Sequence, residues 1–312
     1  MAHVSGFETL RSGPLASLQD AGRFGVRHLG ITQGGAVDLH AWAWANWLVA
    51  NPWGAPALEI TFGGLQLKAM EDLYLAISGA DLGAEIDGEP PPPWSAFMMR
   101  SGQVLEFKAP RSGLRAYLAV FGGFQAEPVL GSCSGVVREG LGGHDGQGRQ
   151  LAVGDRLQVR REAIENTPCN RAVPEIEKLD YTGLAELEFV LGAQAGEFSG
   201  VSLFEFFNRQ WEVDSRSDRM GIRLQGPALK CAISNMVSEG LALGAVQVPP
   251  DGQPIVLMND RQTIGGYPRL GTLPPLACSR LAQCQPGSEV SFRPVSLERA
   301  HRDYIEFVRR FQ

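Results

Sequence analysis

At 312 residues the chain exceeds the size at which one hydrophobic core usually suffices, so two domains are expected. Hydrophobic residues make up 44% and charged residues 20%, a soluble globular balance, and a formal charge of −6 offers no electrostatic attraction for nucleic acid or an anionic membrane. The five cysteines include no CxxC pair and the five histidines no HExxH spacing, so neither a disulfide framework nor a metal site is expected. The first residues lack a basic region followed by an apolar core, and no apolar run approaches the roughly 20 residues that span a bilayer. A cytoplasmic location is the expectation.

The 38 glycines and 20 prolines are spread along the chain, which suits short strands joined by tight turns. Strands are expected at residues 58–62, 73–77, 104–107, 116–120, 157–159, 186–191, 255–258 and 290–292. Asp38 is placed to cap a helix over Leu39 to Ala50, which Asn51-Pro52 stops. Trp42, Trp44, Trp47 and aliphatic neighbours cover its circumference, so the helix is expected to be buried. Asn46 must then find partners, as a cap for a neighbouring segment or as a ligand contact. Ser78-Gly79-Ala80-Asp81 ends the next strand; it reads as an Asx-type turn, or as two polar residues facing a ligand. In "GSCSG" (131–135) Cys133 stands where a nucleophile elbow has Ser, but nothing supplies a base, and the turn reading is the stronger.

Residues 161–183 are polar, carry Pro168 and Pro174, and have no period. The domain change is expected there, giving domains over 1–165 and 184–312 with a linker over 166–183. Two echoes support related halves: "SLQDAGRFGVRHLG" with "SRSDRMGIRLQG", and "YLAVFGGF" with "QTIGGYP". After the apolar run Ile255–Met258 come Asn259, Asp260, Arg261 and Gln262. If the strand continues regularly, Asp260 and Gln262 share a face and Arg261 takes the other. Asp260 and Arg261 then either pair on a solvated rim or serve a ligand, with Arg261 offering a planar fork to carboxylate or phosphate. Ser296 is placed to cap a last helix whose Leu297, Ala300, Tyr304, Phe307, Val308 and Phe311 form one apolar stripe. No Gly-Lys dipeptide occurs, so there is no Walker-type phosphate loop.

Several stretches in order, among them "GGAVDLHAWAWANWLVAN", "ALEITFGGLQL", "SGADL", "PVLGSCSG", "SDRMGIRLQGPAL" and "SEGLALGAVQVPPDGQPIVLMNDRQTIGGYPRLGTL", resemble one family along almost the whole chain. It is that of the biotin-dependent carboxyltransferase-type proteins, also called the allophanate hydrolase subunit 2 family. The resemblance implies a mainly β fold of two tandem cyclophilin-like β-barrel domains with a few short helices. Most of all the chain resembles the C subunit of ATP-dependent 5-oxoprolinase, which implies a partner B subunit of similar barrel fold and an A subunit of LamB/YcsF type. Together these open the lactam of 5-oxo-L-proline to L-glutamate with ATP, bound on or shared with the partners. Other branches imply two alternatives: a carboxyltransferase subunit of a biotin-dependent urea or amide carboxylase, or a non-enzymatic regulator that binds a kinase-inhibitor-like partner. Matched onto this chain, Asp260, Arg261 and Gln262 are expected as catalytic residues, and Asn46, Ser78, Asp81 and Arg219 as substrate-binding ones. Gly34 and Gly135 stand where the family usually carries hydroxyl side chains.

Overall fold

The computed structural model describes residues 3–160, 171–233 and 236–312. The chain is mainly β with four helices among the described residues, as expected: α1 (Leu39–Leu48), α2 (Gly200–Asn208), α3 (Pro275–Leu281) and α4 (Leu297–Phe311). It divides into two compact units. The first comprises residues 1–24, 34–180 and 311–312, the second residues 25–33 and 181–310. From sequence the segment 25–33 belongs with the first barrel; in the structure it packs with the second unit. Residues 161–170, which take in the end of the expected first domain and the start of the expected linker, lie outside the described residues.

The first unit is built from two antiparallel sheets. One has six strands in the spatial order 124–125, 156–160, 3–12, 65–69, 104–106, 85–86, the other five in the order 15–19, 57–61, 112–120, 73–81, 95–99. Alternation decides which side chains face inward: along 65–69 every second residue is buried, and along 156–160 only Leu157 and Val159 are. Phe7, Leu18, Leu67, Leu75, Leu118 and Val159 come from both sheets and share one apolar core. The strand 73–81 is buried on both faces through Ala80, because α1 packs on its outer side. Asp38 caps α1 by accepting from Ala41 N (3.0 Å), and the helix buries almost its whole circumference, as the tryptophan spacing predicts.

The second unit closes into a seven-stranded barrel: 185–191, 269–272, 245–247, 255–257, 221–225, 211–213 and 289–294. Closure comes from a parallel pairing of 185–191 with 289–294, with Ala185 opposite Val290 and Phe189 opposite Pro294. Phe206 of α2 stacks on Phe292 (4.3 Å between centroids, 11° between planes) and plugs one side of this barrel. Ser296 caps α4 through Arg299 N, but the expected apolar stripe is shorter than its spacing implies. Ala300 and Phe307 are buried, whereas Leu297, in the first turn, is 65% exposed. No helix among the described residues is long and apolar enough to cross a membrane.

Candidate active site

The polar residues behind strand 255–257 are set by where that strand ends. Gly221 pairs with Leu257, and the ladder continues past both strand ends as Met258 N to Met220 O (2.9 Å) and Asp260 N to Arg219 O (2.8 Å). This continuation lays Arg219 beside Asp260. The guanidinium grips the carboxylate with both edges, Nε to Oδ2 at 2.9 Å and Nη2 to Oδ1 at 3.0 Å, and both residues are buried. A two-pronged pair of this kind fixes the plane of the Asp260 carboxylate.

Arg261 follows a different path from the one strand alternation predicts. Asn259 and Asp260 form a turn closed by Arg261 N to Met258 O (3.2 Å), so the two-residue period stops at Leu257. Arg261 therefore does not pair with Asp260. Only 3% exposed, it donates from Nε to Leu241 O (3.2 Å), from Nη1 to Met258 O (3.1 Å) and from Nη2 to Gln33 Oε1 (3.1 Å). Thr32 Oγ1 donates to the Arg261 carbonyl (2.9 Å), and Arg27 also donates to the Leu241 carbonyl. Residues 27–33 thus wrap the end of this strand. Burial and, after it, the nearby Arg27 charge pull Arg261 down to about 10, still protonated at neutral pH. Gln262 is half-buried at the rim of the same turn. Behind this turn Ile264–Gly265 pairs with Glu239–Gly240, and a Cβ on Gly265 would lie 2.8 Å from Leu241 Cδ1.

The other expected residues lie in the first unit and have local tasks. Asn46 donates to Trp42 O (3.3 Å) and Ala55 O (3.1 Å) and accepts from Asn51 Nδ2 (2.9 Å), while Asn51 in turn holds Val120 O and Gly122 N. It ties the end of α1 to the Gly122-Gly123 turn. Ser78 Oγ donates to Ala41 O (2.6 Å) and pins the strand 73–81 to α1. Asp81 accepts from Gly83 N (2.8 Å), the Asx turn expected from sequence, and is half-exposed with Arg111 at 4.0 Å. Ser78 and Asp81 both line a cavity of about 230 Å³ whose apolar wall is Pro90–Pro93, Trp94 and Phe107.

Sequence reasoning missed two further polar clusters of the first unit. Glu59, fully buried, accepts from Tyr117 Oη (2.7 Å) and Val37 N (3.1 Å), and Tyr117 Oη accepts from Asp38 N (2.8 Å). Burial and then the neighbouring Glu59 hold Tyr117 well above the usual phenol range, so it stays a donor to Glu59. Asp20 accepts from Gly22 N (2.8 Å), Ser132 Oγ (2.7 Å), Ser134 Oγ (2.5 Å) and Cys133 N (2.6 Å). Cys133 is pushed up to about 11 by burial and by Asp20, which bears out the turn reading of "GSCSG" against a thiolate nucleophile. Gly34 borders this cluster with φ +63°, and a Cβ there would sit 2.9 Å from Val136 Cγ2. Gly at this position therefore matches both the space and the backbone.

The family described as carboxyltransferase domain, subdomain A and B, matches residues 29–294. The chain belongs to that family. It is 40% identical over 294 residues to the 5-oxoprolinase C subunit of Escherichia coli (strain K12), covering 93% of this chain and 92% of that protein. It is 34% identical over 302 residues to the 5-oxoprolinase C subunit of Haemophilus influenzae, covering 95% of each. Both relatives are named as one subunit of an enzyme, which implies partner subunits. The crystal structure of Kluyveromyces lactis urea amidolyase superposes on the whole carboxyltransferase-family chain with a TM-score of 0.91 at 26% identity. This chain spans only 20% of that much longer protein.

Proposed function

We propose that this chain is the C subunit of an ATP-dependent 5-oxoprolinase and opens the lactam of 5-oxo-L-proline to L-glutamate together with the A and B subunits. The observation that carries this reading is the 40% identity to a 5-oxoprolinase C subunit over nearly the full length of both chains. The site chemistry supports it. A lactam carbonyl resists water, and activating its oxygen creates negative charge that fixed donors must meet. Arg261 offers such donors, Asp260 is a carboxylate whose plane Arg219 fixes, and Gln262 presents an amide at the rim. Asn46, Ser78 and Asp81 belong to this reading as substrate-side residues of the first unit, with Asp81 the most exposed of them.

ATP is a co-substrate in this reading. The N-termini of α1 and α4 do not suit its phosphates: that of α1 is already occupied by the Asp38 carboxylate and that of α4 carries Glu298 in its first turn. In this reading nucleotide binds on the partner subunits or is shared with them. A second reading, a carboxyltransferase half of a biotin-dependent urea or amide carboxylase, is favoured by the superposition on urea amidolyase. Reconstitution separates the two. The purified chain, mixed with the A and B subunits from the same source, is expected to release glutamate from 5-oxoproline only when ATP is present. No release from the complete mixture defeats the first reading, and biotin-dependent carboxylation of an amide by the same chain establishes the second.

A further inference from the structure

Arg219 and Arg261 sit on the same ladder end, both buried, yet only Arg219 has a carboxylate. Among the described residues every hydrogen bond of the Arg261 guanidinium goes to a neutral oxygen: two backbone carbonyls and the Gln33 amide. The Asp260 carboxylate acts on Arg261 more weakly than burial or Arg27 does, and Arg219 already engages both of its oxygens. The neighbouring Cys278 does not supply a countercharge either, because burial pushes its thiol up to about 12 and keeps it neutral. Instead the group nearest in charge is another cation. Arg27 is half-buried, donates to the same Leu241 carbonyl, and has no carboxylate partner among the described residues. Two guanidinium groups converging on one carbonyl oxygen is a poor arrangement for stability, since a buried charge without a countercharge is expensive and like charges add to it.

What such a pair does well is bind an anion. Arginine carries five N–H donors in a planar fork, and the three bonds of Arg261 and the one of Arg27 leave further donors on each. Arg27, being half-buried, is the side from which a ligand reaches the pair.

We propose that Arg27 and Arg261 form a subsite for a small oxyanion, a carboxylate or a phosphate, which enters between the two guanidinium groups at the Leu241 carbonyl. Arg27 is then a binding residue supplied by the segment 25–33, with Gln33 and Thr32 as positioning residues that hold Arg261 in place. The proposal rests on the reading of Arg261 as a site residue and names the chemistry it meets.

The test uses the full chain alone, so that it does not depend on turnover. Inorganic phosphate, acetate and 5-oxo-L-proline are titrated separately into the native protein and into Arg27→Gln, Arg27→Lys and Arg302→Gln, with binding read by calorimetry and by the shift in thermal midpoint. Native protein is expected to bind at least one of the three. Arg27→Gln is expected to weaken that binding about tenfold or more, Arg27→Lys less because charge remains without the fork, and Arg302→Gln, an exposed control, not at all. If Arg27→Gln does not fold, the Lys variant decides. Phosphate binding alone identifies a phosphate subsite; acetate or 5-oxoproline binding identifies a carboxylate one. Binding of acetate or phosphate without 5-oxoproline keeps the subsite and counts against the proposed substrate. The subsite is overturned if native protein binds none of the probes, if the Arg27 variants titrate like native protein, or if the control loses as much.

Discussion

Asp20 in the first unit and Arg261 in the second are both buried charges beside a strand end, and the chain treats them in opposite ways. Asp20 is surrounded by four donors, two backbone N–H groups and two serine hydroxyls, so its charge is fully met within the fold. Among the described residues Arg261 hydrogen-bonds only to neutral oxygens, and a second arginine stands beside it. A charge completed from within is a structural fastening. A charge left to neutral acceptors is a place prepared for something from outside.

The comparison breaks most visibly at Asp20. Asp20→Ala leaves two hydroxyls and two backbone N–H groups without their acceptor, and the expected loss is about 3 kcal/mol of unfolding free energy, read by denaturant titration. A loss below about 1 kcal/mol would make the cluster ornamental. Next in size is Asp260→Asn, which removes the charge but keeps the shape beside Arg219. In the reconstituted enzyme turnover is expected to fall by about 100-fold or more while the subunits still co-elute. Undiminished turnover takes Asp260 out of the site. Arg261→Met sharpens the contrast with Asp20, because an apolar side chain of similar length relieves an uncompensated charge. Its stability is expected to stay within about 1 kcal/mol of native or to rise, while the anion response disappears.

The smallest effect is a pH dependence at Asp214, a third arrangement in which a buried carboxylate leans on an exposed arginine. Arg216 holds Asp214 well below the usual carboxylate range, through Nε (2.9 Å), Nη2 (2.6 Å) and its backbone N (2.8 Å), and Gln225 adds a further donor. The folded protein keeps this group ionised where the unfolded chain has begun to protonate. It therefore contributes stability above about pH 4 that is lost as pH falls toward the folded value. Asp214→Asn is expected to flatten the decline in thermal midpoint between about pH 7 and about pH 3. An equally steep decline in the variant assigns the acid sensitivity elsewhere.

Most of the fold is legible in the sequence because burial writes periodicity into it. All eight expected strands are present, and the tryptophans around α1 announce a helix buried on every side. Two helices escape notice for physical reasons. In α2, Phe204, Phe206 and Phe207 suit a strand as well as a helix, and α3 begins behind Pro274-Pro275, which reads as a turn. At the site, the residue types are legible and their partners are not. Asp260 pairs with Arg219, 41 positions away, through ladder bonds that continue beyond the strands, and no local spacing announces that. Arg27 is harder still. Asp20, Arg23 and Arg27 lie within one short polar stretch, yet the first two serve one unit and the third the other. A loop without a period carries no mark of which core it joins.

The parallel closure of the second barrel has a consequence for how the protein is made. Its two closing strands are far apart in the chain, with Glu188 reaching Arg293 across 105 positions, and Thr32 waits for the Arg261 carbonyl across 229. A nascent chain emerging from the ribosome holds one edge of residues 185–191 unpaired until residues 289–294 are synthesised. Contacts of such sequence separation form slowly, so the oxyanion subsite is among the last features to assemble. Truncation just before residue 289 would remove the closing strand together with α4 and leave an open-edged barrel prone to aggregation.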